Sequence, residues 1–117
     1  MMKRLILLAV AASWGAPAAA TGGLVCRTAG PQPIEVSVGF GHVIGAPLIA
    51  TRLLDNGRNV PVSAPQWWLD DREVRLLLSD PAAGRQELLL RARKNGSAYD
   101  GSLWRGGKRR WVRCREG

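Results

Sequence analysis

Trp104, Arg105, Arg109, Trp111 and Arg113 fall within ten residues of one another near the C-terminal end of the chain. Guanidinium groups interleaved with indole rings suit the capture of an anion. Arg offers a planar fork of donors that meets a carboxylate or phosphate through two bonds at once, and an indole adds apolar area and a π face. On an extended strand Arg109, Trp111 and Arg113 share one face, while Arg110, Val112 and Cys114 share the other. Ser97 and Tyr99 bring hydroxyl groups just upstream. Trp67 and Trp68 are adjacent, so on a strand one of them must face outward.

The same residues leave little material for catalysis. His42 is the single histidine, placed in a Gly-rich stretch with no acid beside it, and no nucleophile and base pair can be assembled around it from neighbours in sequence. Gly39, Gly41 and Gly45 depart from the dinucleotide-binding spacing and no helix signal follows them. Asp70, Asp71 and Glu73 lack the spacing and terminal Glu of a calcium loop and read as turn formers. Cys26 and Cys114 have only His42 as a companion for zinc. The chain therefore reads as a binding protein and not an enzyme, with no metal and no cofactor.

Charge sharpens that reading. Residues 21 to 90 carry six Arg against seven acids, whereas residues 91 to 117 carry nine Lys and Arg against only Asp100 and Glu116. One end of the sequence is strongly cationic, which favours an acidic partner surface.

The N-terminus has Lys3 and Arg4, then an apolar run from Leu5 to Ala12, then Ala16-Pro17-Ala18-Ala19-Ala20. This is the layout of a secretory signal peptide over residues 1 to 20, with cleavage before Thr21 and a single domain over residues 21 to 117. The apolar run is too short for a membrane-spanning helix, which needs about 20 residues, and no later segment reaches that length. A periplasmic or secreted location follows. There the two remaining cysteines can pair in only one way within the chain, Cys26 with Cys114.

The elements that must position these groups are strands. Ile34, Val36, Val38 and Phe40 alternate with Glu35, Ser37 and Gly39. Further extended runs cover Leu24 to Arg27, Leu48 to Leu54, Val60 to Val62 continuing through Gln66 to Leu69, Glu73 to Ser79, Gln86 to Arg93, Ser97 to Trp104 and Arg109 to Cys114. Asn56-Gly57, Asn95-Gly96 and Gly106-Gly107 are turn signals between them. About eight strands in an antiparallel barrel or sandwich are expected, with first and last strands tied by the disulfide. Leu76-Leu77-Leu78 and Leu88-Leu89-Leu90 leave helix open as an alternative within residues 72 to 93.

The spacing of Cys26, Ile34-x-Val36-x-Val38-x-Phe40, Leu53-Leu54 with Asn56-Gly57, Gly96-Ser97-Ala98-Tyr99, Leu103-Trp104-Arg105-Gly106 and Cys114 resembles the periplasmic inhibitors of c-type lysozyme. The resemblance implies an eight-stranded antiparallel barrel whose Ser and Tyr loop and Trp-x-Lys-Gly turn plug the enzyme's cleft. By position, Ser97 would be the inserted hydroxyl, Tyr99 its support, and Arg105 would stand in place of the Lys facing the catalytic carboxylates. Two functions are thus expected. The first is a protein-binding inhibitor or immunity-type factor acting on a lysozyme or another envelope-acting enzyme through Ser97, Tyr99, Trp104, Arg105, Arg109, Trp111 and Arg113. The alternative is an envelope-associated binder of anionic polymer or lipid using the C-terminal Arg and Trp patch; nucleic acid is not expected.

Overall fold

The computed structural model describes residues 22–40 and 48–117, with the backbone alone at 48 and 49. The signal-peptide expectation and His42 lie outside the described residues.

Nine strands follow one another: β1 (Gly22–Thr28), β2 (Ile34–Phe40), β3 (Leu48–Asp55), β4 (Arg58–Val60), β5 (Ser63–Leu69), β6 (Glu73–Ser79), β7 (Gln86–Asn95), β8 (Ala98–Arg105) and β9 (Lys108–Glu116). They form a single antiparallel sheet in the order β4-β3-β2-β1-β9-β8-β7-β6-β5, curled into a half-barrel. The expected all-β antiparallel architecture is present, with one strand more than expected. The added strand comes from a break at Pro61-Val62, which divides the run read as continuous from Val60 to Leu69. Proline has no N–H to give to a ladder, so pairing stops at β4 and resumes in β5 on the opposite edge of the sheet.

The hairpins obey their turn residues. Asn56 and Gly57 both have positive φ (53° and 83°), as do Gly106 and Gly107 (59° and 78°), the backbone that two-residue turns between twisted strands require. The leucine runs are strands and not helix. Leu76 pairs with Leu90 and Leu78 with Leu88 on the concave side, while Leu77 and Leu89 pair on the outside. The four inward leucines are buried, and full burial of each contributes about 1.5–3 kcal/mol.

Buried inward positions from seven of the nine strands merge into one core that contains Val36, Leu53, Leu103, Val112 and the Cys26–Cys114 bridge, and partly buried Val60 of β4 and Ala64 and Leu69 of β5 pack against it. Cys26 stands directly opposite Cys114 in the β1–β9 pairing, with Cα atoms 3.9 Å apart across 88 residues of sequence. The first and last strands are therefore hydrogen-bonded neighbours as well as covalently linked, as the sequence led us to expect. A disulfide of this kind is compatible with an oxidising compartment. Among the described residues no helix is long and apolar enough to cross a membrane.

Candidate functional site

Alternation along β9 points Val112 and Cys114 into the core and leaves Arg109, Trp111 and Arg113 on the convex face. Trp111 is 59% exposed. Register carries this face sideways across four more strands. Trp111 stands opposite Ser102 on β8, Ser102 opposite Arg91 on β7, Arg91 opposite Arg75 on β6, and Arg75 opposite Trp68 on β5. A parallel row runs Arg109, Trp104, Leu89, Leu77 and Gln66. The convex face thus carries one exposed indole at each end, Trp68 at 51% and Trp111, with guanidinium groups and half-buried leucines between them.

The indole of Trp68 is held in place. Its Nε1–H donates to Asp70 Oδ2 at 2.9 Å, and the Arg75 guanidinium lies 5.7 Å from the ring centroid. The other oxygen of Asp70 accepts the backbone N–H groups of Arg72 and Glu73, a turn that fixes the entry to β6. These two amides and the indole hold the Asp70 carboxyl below its ordinary range. Trp67 points the other way, its ring 5.6 Å from that of Phe40. A shallow groove beside Trp68 is lined by Arg75, Leu77, Leu89 and Arg91, and a second beside Trp111 by Val25, Arg27, Arg113 and Arg115.

Several cations of the C-terminal cluster are already engaged. Arg113 meets Asp100 through two bonds, Nε at 2.6 Å and Nη2 at 2.9 Å, and Arg109 Nε donates to Ser102 Oγ at 2.9 Å. Arg110 donates to the carbonyls of Gln32 and Ala29, pinning the β1–β2 loop to β9. Arg91 and Arg93, by contrast, make no ion pair among the described residues.

The residues that the lysozyme-inhibitor resemblance would bring to one cleft sit apart. Ser97 is exposed in the β7–β8 turn, whereas Arg105 ends β8 at its far end, about 26 Å away by strand rise. Tyr99 is buried, and its hydroxyl donates to the Asp70 carbonyl at 2.7 Å. Arg105 lies across the mouth of the curled sheet, where Nε donates to Asp55 at 2.7 Å and Nη1 to the Glu87 carboxylate at 3.2 Å and carbonyl at 3.1 Å. It ties β8 to β3, four strands away in the sheet order. Replacing Arg105 with Ala should lower stability by about 1–3 kcal/mol, since hydrogen bonds to charged groups are lost and Glu87 stays half-buried without them. Thermal unfolding checks this, and an unchanged midpoint would show the contacts to be idle.

Asp100 gives the face a pH dependence. The Arg113 guanidinium, and after it the Asn95 amide, hold its carboxyl at about 2 against an ordinary 3.8. A carboxyl depressed by folding stabilises the native state above its unfolded value and loses that contribution as pH falls through the folded one. The melting temperature should therefore fall between about pH 4 and pH 2, and Asp100→Asn should flatten that limb while lowering the neutral-pH value. An acid limb identical in the variant would assign the effect to other carboxylates.

No family model, curated protein or solved structure matches the chain. Arg75 and Arg91 carry no signal in the sequence that marks them as site residues, and Trp68 enters there only as one of an adjacent pair of which one must face outward. Their shared parity with outward Leu77 and Leu89 is visible in the sequence, but the register that aligns them with Trp111 is a property of the folded sheet.

Proposed function

We propose that this chain is an exported, non-enzymatic binding module that captures an anionic envelope component on its convex β5–β9 face. The observation that carries this reading is the row Trp68, Arg75, Arg91, Ser102 and Trp111. Like charges directly opposite one another on a sheet are destabilising, and Arg75 and Arg91 occupy such a pair. Glu73 meets Arg75 at 3.0 Å, but no carboxylate meets Arg91 among the described residues, so a bound anion would relieve the repulsion. The indoles at the row's ends supply the apolar contact that charge alone lacks.

The other expectation, an enzyme inhibitor working through Ser97, Tyr99, Trp104, Arg105, Arg109, Trp111 and Arg113, draws less support from the geometry, because it needs the three residues that the resemblance assigns to the cleft, Ser97, Tyr99 and Arg105, at one place. Those three residues lie at opposite ends of β8, and two of them are engaged within the fold.

Dextran sulfate at 0.15 M salt provides the test. Arg75→Gln with Arg91→Gln should weaken binding about tenfold, the size expected for two contacts at the centre of a binding surface. Arg52→Gln with Arg58→Gln removes the same net charge from exposed positions on β3 and β4 and should change affinity less than about twofold. Equal losses in the two variants would reduce the interaction to net charge and overturn the assignment of this face.

A further inference from the structure

The convex face carries information about the shape of its ligand as well as its charge. Trp68 and Trp111 stand four strand spacings apart, about 19 Å along the sheet. The row between them runs across the strands and follows the curl of the half-barrel. A flat bilayer can touch a convex cylinder only along a line parallel to its axis, so it cannot meet both indoles together. A flexible linear polymer can follow the curve. Single-stranded nucleic acid is held by successive bases stacked on neighbouring aromatic rings. This row places three strands without an aromatic between its indoles, and Trp104 in the parallel row is half-buried.

Indoles offer flat apolar faces that suit the C–H faces of sugar rings, and paired guanidinium groups suit carboxylates carried on those rings. Trp68 is also preorganised by its bond to Asp70, so little side-chain freedom is lost when a ring packs on it. We infer that the row binds one strand of an acidic polysaccharide laid across β5 to β9, with sugars against Trp68 and Trp111 and carboxylates at Arg75 and Arg91. This rests on the reading of the convex face as an anion-binding surface.

Calorimetric titration of the oxidised protein, residues 21 to 117, with oligogalacturonate tests the inference, alongside polyglutamate, oligothymidylate and phosphatidylglycerol vesicles. Oligogalacturonate should bind with saturation, and Trp68→Ala and Trp111→Ala should each weaken it about tenfold while changing polyglutamate binding less than about twofold. Both indoles are more than half exposed, so the variants should keep the native melting transition, and Trp68→Phe, which keeps a stacking ring, should recover most of the affinity. Polyglutamate that binds as tightly, with no effect of either Trp variant, would overturn the polysaccharide while leaving an anion-binding face. Tighter binding of oligothymidylate or vesicles would overturn it in favour of nucleic acid or lipid. Failure to bind any of the four would overturn both the inference and the reading beneath it.

Discussion

Converting Cys114 to Ala, or reducing the native protein, should lower its stability by about 4–5 kcal/mol, the loop-closure entropy of an 88-residue crosslink in the chain-entropy model. For a domain of this size, each kcal/mol moves the melting temperature by about 4–8 °C, so a fall on the order of 20 °C is expected. The location of the bridge makes the effect global. β1 and β9 are the first and last of the described strands, yet they lie side by side near the middle of the sheet, and every other strand attaches to one of them in an unbroken meander. Without the crosslink, the β1–β9 seam closes only after nearly the whole chain has been brought together, so its loss loosens two halves that are otherwise joined by the β1–β9 ladder, by Arg105 and Arg110, by Phe40 against Trp67 and by the contacts between β3 and β5. A melting temperature that does not move under reducing conditions would mean that β1–β9 hydrogen bonding and core burial hold the seam unaided.

That seam was legible in the sequence because it depends on two residues and one possible pairing. The Ile34 to Phe40 alternation and the Asn56-Gly57 and Gly106-Gly107 turns were legible for a similar reason, since each is a local signal with a local cause. Where the cause is distant, the sequence said less. The leucine triplets left strand and helix open because the outward Leu77 and Leu89 are as apolar as the inward neighbours, which removes the alternation that marks a half-buried strand. The extended run from Val60 to Leu69 reads as one strand, with Pro61 marking an edge or a bulge, and only the routing of β5 to the opposite edge shows that Pro61 separates two.

The candidate site divides along the same line. The outward parity of Arg109, Trp111 and Arg113 follows from the inward Cys114, and the structure has it so. Which guanidinium groups are free does not follow from parity. Arg105 finds Asp55 fifty residues away, and Arg113 finds Asp100 through the β8–β9 register. The basic count of residues 91 to 117 therefore overstates the charge open to a ligand there, while Arg75, in a stretch of balanced composition, joins the proposed binding row through pairing alone.

Gly101→Val should destabilise the domain by about 3 kcal/mol or more, at or beyond the upper end of ordinary overpacking. Gly101 sits on the inward side of β8, opposite Ala92 on β7 and Val112 on β9. A Cβ placed there would stand 2.5 Å from the Cα of Ala92 and collide with the Arg91 carbonyl oxygen. Both obstacles are backbone, so no rotamer change can move them aside. Relief would require β7 and β8 to separate here, and close approach of a neighbouring backbone is a common reason for glycine within a strand. Because Arg91 belongs to the proposed binding row, the same displacement should also weaken any capture of an anion there by molecules that remain folded. Gly84→Ala is the matched control, since that glycine lies in an exposed loop with negative φ and its nearest neighbours are Asp80 carboxylate oxygens at 3.9 Å. Its effect should stay within about 0.5 kcal/mol of zero. Denaturant unfolding of the two variants separates the cases, and a Gly101→Val protein as stable as the parent would show that β7 and β8 can part at this point without cost to the core.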